Sequence, residues 1–183
     1  MLIKSKLLKL ASLPVVLALT VSGCSREEPG NATPIPSPSK SASQSQSAGP
    51  KDVFGDMRAC DLLEPTTTPK GFDLPEVETY ESDNGCAAEK SGYASVSIYL
   101  VSKAGIDQLS PGQGTKVPTK VGDREAVEIP GDSGTQACTV AIAVTPTSRM
   151  TASTSLNRGT NEEACALSRE IAEAAEPKLP RGN

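Results

Sequence analysis

The chain has 183 residues and a formal net charge of −4, with no His, no Trp, two Phe, three Tyr and 15 each of Gly and Pro. The absence of histidine excludes Ser-His-Asp and Cys-His nucleophile systems, His-ligated zinc and imidazole pH switching. Sparse aromatics and a negative charge remove the stacking platform and the cationic surface that nucleic acids need, so no nucleic-acid partner is expected.

The first 23 residues read as an address. Lys4, Lys6 and Lys9 precede an apolar run from Leu10 to Thr20 that is too short for a permanent membrane span. A basic segment followed by such a run is the pattern of a secretory signal peptide. Val21-Ser22-Gly23-Cys24 comes next. Small residues directly before a Cys resemble the lipobox of bacterial lipoproteins, with Val where Leu is more usual. That resemblance implies a diacylglyceryl thioether on Cys24 and cleavage just before it. The alternative is ordinary secretion with Cys24 left as an odd thiol. The expectation is a membrane partner reached through a lipid anchor at Cys24, on the outer face of the cytoplasmic membrane. Buried acyl chains contribute about 0.8 kcal/mol per methylene, so two chains hold where one is marginal. Loss of Lys4, Lys6 and Lys9 with residues 1–23 takes the charge from −4 to −7, which repels anionic headgroups and favours a domain standing off the membrane.

Residues 24–50 follow the anchor as a tether. Ser, Pro, Gln and Ala dominate it, and one Ile is its only large aliphatic residue. Such a segment cannot bury enough surface to offset backbone ordering, so disorder is expected. Coil scaling gives it an average reach of about 25–30 Å. Asn31-Ala32-Thr33 fits an N-glycosylation pattern, which beside a bacterial lipobox is an accident of composition. The Ser/Thr/Pro content suits O-glycosylation.

Residues 51–183 form the one candidate folded domain. They hold 29 Val, Ile, Leu, Met, Phe and Tyr residues, a lean core for a chain of that length. Cys60, Cys86, Cys138 and Cys165 are an even set in an exported chain and are expected to staple it. Four cysteines allow three connectivities. Cys60–Cys86 and Cys138–Cys165 are favoured because each joins elements close in sequence. A Cys₄ metal site lacks C-x₂-C spacing, and no imidazole is present to activate a catalytic thiol. No metal and no cofactor are expected.

The elements are expected in this order. Asp56 to Leu63 is a short helix, with Met57, Cys60 and Leu63 on one face, ended by Glu64-Pro65. Thr66 to Pro75 is loop. Val77 to Glu81 is a short strand, and Ser82-Asp83-Asn84-Gly85 turns the chain into a strand at Cys86. In Tyr93–Val101 the residues Val96, Ile98 and Leu100 alternate onto one face. Ser110 to Gly114 is loop. Thr119–Val121 and Arg124–Ile129 make a hairpin about Gly122-Asp123. Ala137–Thr145 is a strand with Cys138, Val140, Ile142 and Val144 in phase, and Arg149–Leu156 is a more polar one. Asn161–Ala175 is an amphipathic helix with the stripe Ala164, Leu167, Ile171 and Ala175, capped by Thr160 or Asn161 and stopped by Pro177 and Pro180. Antiparallel strands between two helices give an α+β fold: a short N-terminal and a longer C-terminal helix packed on an antiparallel β-sheet, with two disulfides.

These residues carry a family resemblance. Lipobox and tether are followed by Ala59-Cys60-Asp61-Leu62-Leu63, Cys86, Val121-Gly122-Asp123-Arg124-Glu125-Ala126, a strand opening with Cys138, a last helix with Cys165, and Lys178-Leu179-Pro180. This order resembles the actinobacterial lipoproteins grouped as domain of unknown function 3558. The resemblance implies a four-cysteine α+β domain outside the membrane and supplies no activity. Ala87-Ala88 depart from it, standing where the family has an aromatic soon after the second Cys.

Two functions remain in view. One is a non-catalytic module at the cell surface that binds a protein, a small molecule or a lipid. The other is a cell-envelope hydrolase using a carboxylate pair, for which Asp73, Glu76, Glu78, Glu81 and Asp83 are the candidates. Their clustering in a Pro-containing loop and edge strand favours a solvated face, so no catalytic residue is assigned. Asp83-Asn84-Gly85 lacks the rest of a calcium loop and reads as a turn, and Gly112-Gln113-Gly114 lacks the Lys and helix of a phosphate loop.

Overall fold

The computed structural model describes residues 52–181. The signal peptide expected over 1–23, Cys24 and the tether expected over 24–50 lie outside the described residues.

The chain runs α1 (Ala59–Thr67), β1 (Glu76–Glu78), β2 (Gly85–Lys90), β3 (Ala94–Val101), β4 (Val117–Val121), β5 (Arg124–Pro130), β6 (Ala137–Thr145), β7 (Ser148–Leu156) and α2 (Asn161–Ala175). Single 3₁₀ turns occupy Thr68–Lys70, Ile106–Gln108 and Glu176–Lys178. The strands form one antiparallel sheet in the order β1-β2-β3-β7-β6-β5-β4. The α+β expectation is met, with both helices on a single sheet.

Alternation decides which side the helices cover. Val96, Ile98 and Leu100 of β3 pair with Thr154, Ala152 and Met150 of β7, which in turn pair with Cys138, Val140 and Ile142 of β6. These residues are all buried and form the centre of the core. α2 lies over β6 and β7, and its stripe of Ala164, Leu167, Ile171 and Ala175 is buried there. α1 covers β2 and β3. Each helix is bonded to the sheet beneath it, through Cys60–Cys86 for α1 and Cys138–Cys165 for α2. These are the two pairs favoured on sequence proximity.

The start of α2 is built locally. Thr160 Oγ1 accepts from the Glu163 amide at 3.2 Å while Glu163 Oε2 accepts from the Thr160 amide at 2.8 Å, a reciprocal capping box. Thr160, not Asn161, is the cap. The β4–β5 hairpin turns on Gly122-Asp123, with Gly122 at φ 58° and Val121 paired to Arg124. A glycine at positive φ in the first central position suits the right-handed twist of the flanking strands.

Two elements depart most from expectation, while β3, β4, β5 and β7 shift by one or two residues. α1 spans Ala59–Thr67 instead of 56–63, with Pro65 inside it. Proline removes one helical N–H, yet its ring lies exposed, and continuing the helix buries Thr66 and Thr67 beside Leu62 and Leu63. The Thr67 hydroxyl donates back to the Leu63 carbonyl at 3.1 Å. β1 ends at Glu78 instead of Glu81. Glu81 leaves the sheet edge because its carboxylate is held by Arg149 and Thr151 of β7.

Candidate functional site

The sheet face opposite the helices is where polar chemistry collects. Residues out of phase with the core point there: Ser97 and Tyr99 of β3, Arg149, Thr151 and Ser153 of β7, and Thr139 of β6. Register aligns them in rows, with Ser97 opposite Ser153 and Ser153 opposite Thr139, and with Tyr99 opposite Thr151. These residues, except Thr151, line a cleft of about 610 Å³ together with Tyr80, Glu81, Gln108 to Ser110, Gly112, Ile129, Asp132 and Ser133. That volume lies within the range of small-molecule sites. A wider hollow of about 970 Å³ opens beside it among Asp52, Ser82, Lys103 and Thr147, sharing Glu81. The smaller cleft carries the unusual side chains.

Arg149 is the first of them. It lies at the start of β7, the central strand, and is only 6% exposed. One terminal nitrogen donates to Glu81 Oε1 at 2.5 Å, and the other donates to the Ala104 and Gly105 carbonyls at 2.9 and 3.2 Å. Its Nε is buried with no hydrogen-bond partner in the protein. Glu81 Oε2 accepts from the Thr151 hydroxyl at 2.8 Å, so both carboxylate oxygens are engaged. A single guanidinium thus fastens two loops, 79–84 and 102–116, over the same end of the sheet.

A second network crosses β6 and β7. The Thr139 hydroxyl donates to Asp132 Oδ2 at 2.8 Å and lies 2.6 Å from Ser153 Oγ. Thr139 has one hydroxyl proton, so with that proton on Asp132 the donor in the second contact is Ser153. Ser153 Oγ keeps acceptor capacity, and Asp132 Oδ1 is buried with no partner in the protein.

The third is Tyr99. Its hydroxyl donates to Glu78 Oε2 at 2.6 Å. Burial first, and then the Glu78 carboxylate, hold it well above the ordinary phenol range. It therefore stays a donor. Gly85 makes that reach possible, because a Cβ there would stand 2.4 Å from the Tyr99 ring. Gly112 plays a like part on the far side: it sits at φ 57°, and a Cβ would meet the Asp132 carbonyl at 2.1 Å. The Gly112-Gln113-Gly114 loop is thereby laid against the β5–β6 turn, with the Gln113 amide donating to the Asp132 carbonyl at 2.8 Å.

The architecture agrees with one comparison. The model of a family described as protein of unknown function, DUF3558, matches residues 19–178. The chain belongs to the DUF3558 family. No curated protein and no solved structure matches it.

Within this DUF3558 domain the five carboxylates singled out in the sequence separate. Asp73, Glu76 and Asp83 are exposed. Glu78 and Glu81 are not the solvated charges that their clustering predicted, for each is half-buried and bonded to a side chain of the sheet. Asn84, read only as a turn residue, also holds α1: its Oδ1 accepts from the Ala59 amide at 3.0 Å and its Nδ2 donates to the Met57 carbonyl at 2.8 Å. Arg149, Asp132, Ser97, Thr139 and Ser153 were not singled out. For Ser97, Thr139 and Ser153 the one local signal is the period-two recurrence of hydroxyls on the strand faces that alternation turns away from the helices. Among the described residues no cluster of three or more potential metal ligands occurs, and no helix is long and apolar enough to cross a membrane.

Proposed function

We propose that this protein is a lipoprotein of the actinobacterial type, held to the outer face of the cytoplasmic membrane through Cys24, whose folded domain is a non-catalytic ligand-binding module. The polar cleft on the uncovered sheet face is its ligand site. The carrying observation is the cleft itself, about 610 Å³ and lined by the hydroxyls of Ser97, Thr139 and Ser153, which strand register sets in a row, with the Asp132 carboxylate beside them. Support for the anchor is Val21-Ser22-Gly23-Cys24 behind a basic and then apolar leader. The hydrolase reading has less support, because Glu81 spends both oxygens on Arg149 and Thr151, and Glu78 lies under Tyr99.

Site-specific photocrosslinking in intact cells tests the module. A photoreactive residue at Ser110, on the cleft, should trap a ligand, whereas the same residue at Lys178, beyond α2, should trap none. Equal capture at both positions overturns the assignment of the cleft. For the anchor, mass spectrometry should find acyl chains on Cys24, and Cys24→Ala should leave the membrane fraction.

A further inference from the structure

We propose that the ligand of this cleft is a neutral polyhydroxylated molecule, the saccharide unit of a glycan, bound through Ser153, Ser97 and Asp132 with Tyr80 packed against a ring face. This deepens the reading of the cleft as the ligand site and rests on it.

Charge excludes the anionic classes. Arg149 is the one basic residue among the described residues that line the cleft. Its terminal nitrogens are committed to Glu81 and to two carbonyls. A phosphate or carboxylate would find no free fork to hold it and would face the Asp132 charge. Lining chemistry excludes an acyl chain as well. Leu109 and Ile129 are the sizeable aliphatic side chains present, and an acyl chain needs a continuous apolar wall to gain about 0.8 kcal/mol per methylene.

What is offered instead is a short-range mixture of donors and acceptors. Asp132 lines the cleft, and its carboxylate accepts from Thr139 with acceptor capacity left over. Ser153 Oγ retains acceptor capacity because its proton is directed at Thr139, and the half-buried Ser97 hydroxyl faces it across the strand pair. A ligand whose own groups both donate and accept satisfies that set. Hydroxyls do so. Tyr80 lines the same cleft with its side chain left in water, at 90% exposure, where an aromatic ring presents its face to the apolar C–H side of a pyranose.

The test is a backbone-amide NMR titration of the full chain in detergent with cellobiose, maltose and N,N′-diacetylchitobiose, alongside spermidine and inorganic phosphate as separate probes. At least one saccharide should shift the amides of Ser97, Asp132, Thr139 and Ser153, with a Kd of about 0.1–1 mM. Tyr80→Ala and Ser153→Ala should each weaken it by about 10-fold, with the disulfides intact in both and the melting temperature unchanged in Tyr80→Ala. Shifts at the same amides with spermidine or phosphate and none with any saccharide would overturn the saccharide class and keep the cleft as a site. No shift with any probe also overturns it, and crosslinking from Ser110 then decides separately whether the cleft holds a ligand. Saccharide binding that survives both substitutions places it elsewhere and refutes the assignment.

Discussion

Arg149 is the one buried charged residue among the described residues. A guanidinium this buried is tolerated because Glu81 and two carbonyls surround it, and removing one partner leaves a charge out of water. Glu81→Leu should therefore cost about 3 kcal/mol in urea denaturation. The double change Glu81→Leu with Arg149→Met should cost less than Glu81→Leu alone, because no orphan charge remains. A larger loss in the double variant would mean that the pair contributes net stability. Tyr99 gives a second reading at this scale. Its folded pKa is raised, so the folded state keeps the proton after the unfolded chain has begun to release it near pH 10. The associated stability is complete below about pH 10 and is lost as pH rises toward the folded value. Wild type should lose stability above pH 10 more steeply than Tyr99→Phe, measured by denaturation at stepped pH.

At the scale of elements, α1 and α2 solve the same problem differently. α2 caps itself with Thr160 and Glu163, three positions apart in sequence. α1 has no side-chain cap of its own at Arg58 and takes one from Asn84, 25 residues away. Asn84→Ala should thus cost about 1–2 kcal/mol and speed hydrogen exchange at Ala59, leaving α2 protected. The same contrast explains what the sequence disclosed. Val96-Ile98-Leu100 and Cys138-Val140-Ile142 alternate because a single face is buried, and the α2 stripe repeats because a helix covers it, so these elements are legible from neighbours alone. Pro65 misleads because burial of Thr66 and Thr67 by distant strands outweighs a local rule. The cleft was illegible for the same reason. Glu81 meets Arg149 and Thr151 across 68 and 70 residues, and nothing near Glu81 in the chain distinguishes it from the exposed Glu76.

For the whole molecule the two disulfides set the division of labour. Both join a helix to the sheet, and neither touches the cleft, whose rims are fastened by Arg149 and by hydrogen bonds. Cys138→Ala with Cys165→Ala should cost about 2–5 kcal/mol and lower the melting temperature, releasing α2 from β6. Tyr99 and Arg149 belong to the other face, so saccharide-induced amide shifts at Ser97 and Ser153 should persist in that variant below its melting temperature.

The placement of Cys60–Cys86 also has a mechanical consequence. Any tension entering the domain from its N-terminal side meets Cys60 at the second residue of α1 and passes through sulfur into β2. The 26 residue steps between the two cysteines are spared. At roughly 3.5 Å per residue they represent about 90 Å of chain that cannot be drawn out while the bond is intact. Cys138–Cys165 locks a loop of 27 steps in the same way. Pulled from its two ends, the oxidised domain should yield a contour length shorter by about 90 Å per bridge than the reduced one, and β1 with its flanking loops should never bear load.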